Sequence, residues 1–233
     1  MIDAAILHGR LREVRDRIGR AATRAGRDPA SVRLIAVSKT FDAMSVRAAA
    51  GAGQIDFGEN KVQEALEKMD RTPDLHVRWH LIGHLQTNKA KKAGARFDVV
   101  HSIDSVDLLR KLDDAAGAAG RSLEMLVQVD LAGEATKHGA RAEDLQAIFR
   151  AAADCKAAKV VGLMLLPPMV EDPNGARPYF RALQQVRERL LAGGVDPSLL
   201  NELSMGMSHD FEAAIEEGAT QVRVGTAIFG TRT

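Results

Sequence analysis

Residues 203–230, LSMGMSHDFEAAIEEGATQVRVGTAIFG, contain the pattern that decides the fold. Two short apolar runs, at 202–205 and 222–225, lie on either side of an amphipathic helical pattern at 210–217. A strand, a helix and a second strand in this order are typical of parallel strands joined by a crossover helix. The end of the sequence therefore predicts one β–α–β unit.

The same alternation runs back through the chain to about residue 33. Six further apolar runs are strand candidates, at 33–38, 54–58, 77–82, 98–102, 124–130 and 160–165. Helical spacing is clearest between them at 60–69, 106–119, 142–157 and 176–192. Eight strand–helix units in about 200 residues predict an α/β fold, a (β/α)8 TIM barrel near the short end of its size range. A doubly wound open sheet is the competing fold, but no G-x-G-x-x-G motif follows the first strand to support it.

An additional helix precedes the first strand. Apolar residues recur there every three or four positions, at Ile2, Ile6, Leu7, Leu11, Val14 and Ile18. The spacing predicts an amphipathic helix over 2–25 that lies on the outside of the domain and ends near Gly26. No linker or change in composition divides the sequence, so we expect residues 1–233 to form a single domain.

Composition excludes several classes of protein. With 45% hydrophobic residues the chain is not disordered, and its formal net charge of +1 lacks the basic excess that nucleic-acid binding by phosphate neutralisation requires. The longest apolar run, near 160–166, is stopped by Pro167-Pro168 well short of the roughly 20 residues of a membrane span. A single cysteine, Cys155, and an N-terminus without a signal-peptide pattern predict a cytoplasmic protein.

Lys39 is the first candidate for chemistry. Functional residues of a parallel barrel follow the carboxyl ends of the strands, and Lys39 comes directly after the apolar run 34–38. A partly desolvated lysine can act as an amine nucleophile and form a Schiff base with an aldehyde, although an ordinary solvated loop lysine fits the same position. His80 and His84 are four residues apart but lack further ligands at suitable spacing, so no metal site is predicted.

The two closing turns offer an anion site. Met207 and Ser208 follow the seventh candidate strand, and Gly225 and Thr226 follow the eighth. Small residues let backbone N–H groups approach a ligand, and phosphate commonly binds after strands seven and eight of such barrels. Each turn taken singly is equally explained by turn and capping chemistry. Because barrel closure makes strand eight the neighbour of strand one, the turns and Lys39 together favour a phosphate-bearing aldehyde, pyridoxal 5′-phosphate (PLP).

Five blocks of the sequence resemble a known family. They are LIAVSKT at 34–40, FGENKVQE at 57–64, WHLIGHLQTNK at 79–89, LSMGMS at 203–208 and VRVGTAIFG at 222–230. In this order they look like the PLP homeostasis proteins, the YggS/PROSC family, which are similar to the N-terminal barrel of alanine racemase and are called fold type III. The resemblance runs from near residue 30 to the end of the sequence.

The resemblance implies a role for each matched position. It implies that PLP forms a Schiff base with Lys39 and that Asn60 lies beside the 3-hydroxyl side of the ring. It further implies phosphate contacts from the turn of Met207 and Ser208 and from the backbone of Gly225 and Thr226. Arg223 is implied to contact either the ring nitrogen or the phosphate, and both alternatives stay open.

Two functions are compatible with this resemblance: reversible PLP binding in intracellular PLP homeostasis, and a PLP-dependent amino-acid racemase or other weak fold type III enzyme. In racemases of this type the second catalytic base is a tyrosine of an additional β domain, and the other subunit of the dimer contributes it. The only tyrosine here, Tyr179, lies in a helical stretch away from the strand ends. We therefore expect a monomeric carrier without turnover, whose partners are PLP and PLP-dependent apoenzymes, and not nucleic acid or a membrane.

Overall fold

Eight parallel strands close into a barrel in which each strand pairs with the next along the chain and β8 pairs with β1. This architecture comes from a computed structural model that describes residues 3–131 and 138–231. The strands are β1 (Arg33–Val37), β2 (Asp56–Glu59), β3 (Arg78–Leu81), β4 (Val99–Ile103), β5 (Leu123–Gln128), β6 (Ala158–Met164), β7 (Glu202–Met207) and β8 (Gln221–Val224). The predicted TIM barrel is confirmed, and the eight predicted strands agree with the observed ones to within about three residues at each end.

The described helices surround the barrel and connect its strands. They are α1 (Ala4–Arg24), α2 (Ala43–Gly51), α3 (Val62–Arg71), α4 (Ala90–Arg96), α5 (Val106–Ala118), α6 (Leu145–Ala152), α7 (Arg177–Ala192), α8 (Phe211–Glu216) and α9 (Thr226–Phe229). Among the residues described, no helix is long and apolar enough to cross a membrane. That residues 1–233 form a single domain stays a prediction.

Helix α1 is the predicted additional N-terminal helix, and it packs on the closing part of the barrel. The Asp3 carboxylate caps it by accepting the N–H of Ala5 at 2.7 Å. Arg17 pairs with Glu212 of α8 at 2.9 Å and lies 4.6 Å from the centroid of the Phe211 ring. The predicted first residue, Ile2, lies outside the described residues. The helix thus covers the end of the barrel wall that strands β7 and β8 complete.

Helix α6 is shorter than the predicted segment 142–157. The carboxylate of Asp113 on α5 accepts the backbone N–H groups of Lys156, Ala157 and Ala158 at 2.7–3.1 Å. These bonds hold the chain in a turn that leads directly into β6. Helical spacing continues in the sequence, but a side chain from a neighbouring helix ends the helix early.

Two sets of side chains leave the barrel wall on opposite faces, because successive strand residues alternate in direction. One large apolar cluster lies between the strands and the helices, and it includes Phe57, Leu81 and Val100. A separate small cluster of Val99, Leu126 and Met164 fills part of the barrel interior. Buried polar side chains occupy much of the remaining interior, namely His80, His101, Ser204, Gln221 and Arg223.

Candidate cofactor site at the mouth of the barrel

The pairing of β1 with β2 brings Lys39 and Asn60 to the same level at the carboxyl end of the barrel, which we call the mouth. Val37 of β1 lies opposite Gly58 of β2. Lys39 and Asn60 each follow two residues later, and both side chains are half-buried. The two predicted site residues are therefore neighbours across adjacent strands, as their implied roles require.

The pairing of β1 with β8 places the closing turn on the other side of the same strand. Ala36 lies opposite Val224, so Gly225 follows beside Val37. A Cβ added at Gly225 would lie 3.1 Å from the carbonyl oxygen of Val37, which is tighter than ordinary contact. Glycine thus lets the closing turn lie directly against the strand that carries Lys39.

A second close approach occurs at Asn60. A Cβ added at Gly83, two residues after β3, would lie 2.3 Å from the carbonyl oxygen of Asn60. Only hydrogen fits there, so the β3 turn rests on the backbone of Asn60. The two glycines leave the mouth lined by backbone at Asn60 and Gly225.

One hydrogen bond joins the turns after β7 and β8, and a second stabilises the turn after β7. The N–H of Gly225 donates to Ser208 Oγ at 3.0 Å, and the N–H of Met207 donates to the Asp210 carboxylate at 2.6 Å. A hydroxyl that accepts one bond keeps its own proton as a donor. Thr226 begins α9 and is exposed. The predicted anion-binding residues Met207, Ser208, Gly225 and Thr226 therefore come together in one place.

Arg223 lies inside the barrel and is 3% exposed. Its Nη1 donates to Ser204 Oγ at 2.6 Å, and its Nη2 donates to the carbonyl of Leu165, the residue that follows β6, at 2.7 Å. Burial lowers the pKa of Arg223 to about 10, so the guanidinium is charged at neutral pH. It thus places a positive charge at the base of the mouth, and the choice between ring nitrogen and phosphate stays open.

A buried charge cluster supports the residues on both sides of Lys39, and sequence reasoning missed it. Lys68 of α3 donates from Nζ to the carbonyl of Ser38 at 2.7 Å and to Glu59 at 2.7 Å. It also donates to Glu64 at 2.9 Å, and Glu64 in turn accepts the backbone N–H of Thr40. We call Glu59, Glu64 and Lys68 the lysine-loop cluster.

The lysine-loop cluster fixes an unusual backbone. Thr40 has φ +71°, in the left-handed region that non-glycine residues rarely adopt. The hydrogen bond from its N–H to Glu64 holds it there, while the Ser38 hydroxyl donates to Glu59 at 2.6 Å. Because Ser38 and Thr40 are the chain neighbours of Lys39, the cluster fixes the direction in which Lys39 leaves β1.

The pKa values of the two acids of the lysine-loop cluster shift in opposite net directions, although burial acts to raise both. Desolvation raises the pKa of Glu59, and the charge and hydrogen bond of Lys68 offset only part of that rise. Desolvation also acts to raise the pKa of Glu64, but hydrogen bonds from Lys68 and from the Thr40 N–H bring it below its usual value. The sequence did carry a signal, because the apolar stripe of α3 includes Lys68 among Val62, Ala65 and Met69.

The two histidines that lie four residues apart in the sequence do not converge. His80 is buried in the barrel interior, where its Nε2 is 2.8 Å from Asp56 Oδ1. His84 instead stacks on His138, with ring centroids 3.5 Å apart. No group of three or more His, Cys, Asp or Glu side chains suited to a metal ion occurs within residues 3–131 and 138–231.

Comparison with solved structures finds the same fold in proteins of known identity. The chain aligns with PipY of Synechococcus elongatus PCC7942 with PLP bound, at a TM-score of 0.85 and 39% identity, over 96% of this chain and 100% of that one. It also aligns with D-threonine aldolase from Filomicrobium marinum at a TM-score of 0.75, over 98% of this chain and 61% of the other. At 16% identity the second likeness shows the fold alone.

Comparison of sequences gives relatives of nearly equal length. The chain is 42% identical to the pyridoxal phosphate homeostasis protein of Aquifex aeolicus (strain VF5), over 96% of this chain and 97% of that protein. It is 39% identical to the protein of the same name from Escherichia coli (strain K12), over 95% of each. Residues 10–233 match the family model for the alanine racemase N-terminal domain, and the chain therefore belongs to that family.

Proposed function

We propose that this protein binds PLP reversibly through Lys39 and takes part in PLP homeostasis. The observation that carries the proposal is the position of Lys39 between Asn60 on one neighbouring strand and Gly225 on the other. The relatives named as PLP homeostasis proteins and the PLP-bound PipY support it at about 40% identity over nearly the whole chain. The cytoplasmic location predicted from the sequence is part of the same proposal.

The residues at the mouth fit PLP. The cofactor supplies an aldehyde that condenses reversibly with a primary amine. Lys39 would hold the cofactor through its side-chain amine, which must be unprotonated to act as a nucleophile. The Ser208 hydroxyl and the backbone N–H groups near Thr226 are donors suited to the phosphate, and Asn60 is suited to the 3-hydroxyl side of the ring.

Arg223 is expected to limit the chemistry of the bound cofactor. In the alternative in which the guanidinium faces the ring nitrogen, its charge disfavours protonation of that nitrogen and weakens the cofactor as an electron sink. In the other alternative the charge holds the phosphate. Only the first alternative disfavours turnover of an amino acid, and both alternatives favour binding of the cofactor.

We propose that the protein is a carrier and not a racemase. The only tyrosine, Tyr179, lies on the outer helix α7, where its half-buried side chain packs against the apolar core. It is therefore not the second base that a two-base racemisation needs at the mouth. A monomer that delivers PLP to apoenzymes is the corresponding proposal for assembly and partners.

Attachment at Lys39 is tested by trapping with borohydride. The wild-type protein, incubated with PLP and reduced, is expected to carry one pyridoxyl group on the peptide that contains Lys39. Lys39→Ala is expected to abolish both the label and the visible absorbance, while Lys91→Ala on the exposed face of α4 serves as a matched lysine control. Covalent trapping that survives in Lys39→Ala would show that the assignment is wrong.

Absence of turnover is tested separately. The PLP-loaded protein is incubated with L-alanine, and the D form is measured by chiral chromatography. We expect no turnover at the typical enzyme scale, and a rate of order 1 s⁻¹ or above would make the protein an enzyme. Sedimentation of the same sample reports whether it is a monomer.

A further inference from the structure

Five polar side chains form a continuous hydrogen-bonded series through the barrel interior, and we call it the interior relay. Its members are Asp56 of β2, His80 of β3, His101 of β4, Ser204 of β7 and Arg223 of β8. Successive polar atoms are 2.8, 2.9, 3.0 and 2.6 Å apart. The two histidines and Ser204 have no exposed surface. The proposed function uses only the last member.

The end residues of the interior relay, Arg223 and Asp56, are consistent with one direction of hydrogen-bond donation along the series. A guanidinium has only donors, so Arg223 must donate to Ser204 Oγ. At the other end Asp56 accepts, provided that it is ionised. Burial acts to raise the pKa of Asp56, but the hydrogen bond from His80 and the charges of Arg33 and Arg78 bring it below its usual value. The carboxylate end therefore fixes the order of donors and acceptors, and the hydrogen bond from Arg223 is compatible with that order.

The residues between the ends then have a single arrangement. Ser204 accepts from Arg223 and gives its own proton to Nδ1 of His101. A neutral His101 consequently carries its proton on Nε2 and donates it to Nδ1 of His80. His80 in turn carries its proton on Nε2 and donates to Asp56.

The surroundings of both histidines favour the neutral form that this arrangement needs. Burial lowers the pKa of His80, and the nearby Asp56 offsets only part of the effect. Burial lowers the pKa of His101 well below its ordinary value, and a proton on His80 or the charge of Arg223 lowers it further. A second proton on either ring would oppose two N–H groups across the 2.9 Å contact between the rings.

We propose that Asp56, His80, His101 and Ser204 are positioning residues for Arg223. Every hydrogen bond in this series is donated in the same direction, from Arg223 toward Asp56. Ser204 accepts from Arg223 through a lone pair while its own proton is directed to His101, which fixes the orientation of the hydroxyl, and the tautomer of His101 depends on Asp56 through His80. The guanidinium is thereby held against Ser204 and the carbonyl of Leu165. The inference rests on the proposed function, in which Arg223 serves the cofactor.

The first test needs no cofactor. Nitrogen NMR of the apo protein with ¹⁵N-labelled histidine reports which ring nitrogen carries the proton. We expect His80 and His101 both to be neutral and protonated on Nε2 at neutral pH. Finding either ring protonated on Nδ1, or doubly protonated, would overturn the relay.

Transmission along the relay is tested with Asp56→Asn. The amide can donate as well as accept, so it removes the requirement that fixes the direction. We expect His101, which does not touch Asp56, to lose its single-tautomer pattern. The matched control is Asp98→Asn, because Asp98 also accepts hydrogen bonds, from the Trp79 N–H and from Arg121, but lies outside the relay. An unchanged His101 signal in Asp56→Asn would contradict the proposal.

The effect on the site is tested with Ser204→Ala and Ser204→Thr. The alanine variant leaves Nη1 of Arg223 without its acceptor, and we expect PLP to be retained about tenfold less tightly, with threonine restoring retention. If neither variant changes retention, Ser204 does not position Arg223. A relay that passes the NMR tests in a protein that does not bind PLP would instead show that the proposed function fails and the relay stands.

Discussion

Replacing Lys68 by methionine tests the support of Lys39 directly. The Lys68 side chain is 6% exposed, and the substitution keeps its apolar stem but removes the ammonium that donates to Ser38, Glu59 and Glu64. Glu59 has no exposed surface, and its Oε2 has no hydrogen-bond partner among the residues described. Methionine therefore leaves a buried carboxylate with the Ser38 hydroxyl as its remaining donor.

The magnitude follows from that geometry. Removing one partner of a buried ion pair costs about 3–5 kcal/mol, whereas replacing both partners is far less costly. We expect Lys68→Met to lower the free energy of unfolding by that amount, and Glu59→Gln with Lys68→Met to recover most of the loss. Lys111→Met is the matched control, because Lys111 also pairs with an acid four residues earlier, Asp107, but in solvent, where such pairs contribute about 0.3–0.5 kcal/mol.

The decrease in the free energy of unfolding that Lys68→Met causes should also depend on pH, and it should be smaller at low pH. Burial already raises the pKa of Glu59, and without Lys68 that pKa rises further. A raised folded-state pKa means stability that is present below the unfolded value of about 4.3 and is lost as pH rises through the folded value. The deficit of Lys68→Met should therefore shrink as pH falls from 8 to 5, by at most about 1.4 kcal/mol per pH unit.

Urea unfolding followed by circular dichroism measures both effects. At a slope of about 2–3 kcal/mol per M, the expected loss moves the midpoint by about 1–2.5 M. Borohydride labelling of Lys39 in the absence of urea should fall in Lys68→Met and return in the double variant. A loss no larger than that of Lys111→Met, or a double variant as unstable as the sum of the single ones, would refute the reasoning.

Three further predictions concern other parts of the molecule. Ser208→Ala should loosen PLP about tenfold and leave unphosphorylated pyridoxal unaffected, as measured by equilibrium dialysis of both, and equal losses would contradict a phosphate role. Gly83→Ala forces a Cβ to within 2.3 Å of the Asn60 carbonyl and should cost about 1–3 kcal/mol in urea unfolding together with weaker PLP retention. His101 has a lowered folded-state pKa, so its contribution is complete above the unfolded value of about 6.5 and declines as pH falls below it. His101→Gln should therefore flatten the decline of the urea midpoint between pH 6.5 and 5, whereas His76→Gln, at an exposed site, should leave it unchanged.

The sequence was sufficient to predict the barrel because each unit carries its own local signal. An apolar run recurs eight times, clear helical spacing follows five of these runs, and turn residues mark the strand ends. The mouth residues Lys39, Asn60 and Gly225 could be predicted for the same reason, since parallel strands place their carboxyl ends at one rim. Helix α6 was predicted too long because its end is determined by Asp113, more than 40 residues away.

The hydrogen bonds of the interior relay could not be predicted because they depend on contacts between strands that are far apart in the sequence. Parity along β3 and β4 puts His80 and His101 inside the barrel, and this much is readable from the alternation of neighbouring apolar residues. That their rings meet depends on the register between the two strands, in which His80 lies opposite Val99. The contact between His101 and Ser204 then crosses the barrel, over 103 residues of sequence.

The lysine-loop cluster and the interior relay lie on opposite faces of the barrel wall, so each of them acts on a different residue at the mouth. Glu59 points outward from β2 to Lys68 on α3, so the lysine-loop cluster controls the backbone around Lys39 from outside. Asp56 points inward from the same strand, three residues earlier, so the interior relay reaches Arg223 through the core. One short strand thereby holds the amine in place from one face and connects to the guanidinium from the other. A substitution in the lysine-loop cluster should therefore alter Lys39 and leave the hydrogen bonds that hold Arg223 intact. A substitution in the interior relay should alter Arg223 and leave the backbone around Lys39 intact.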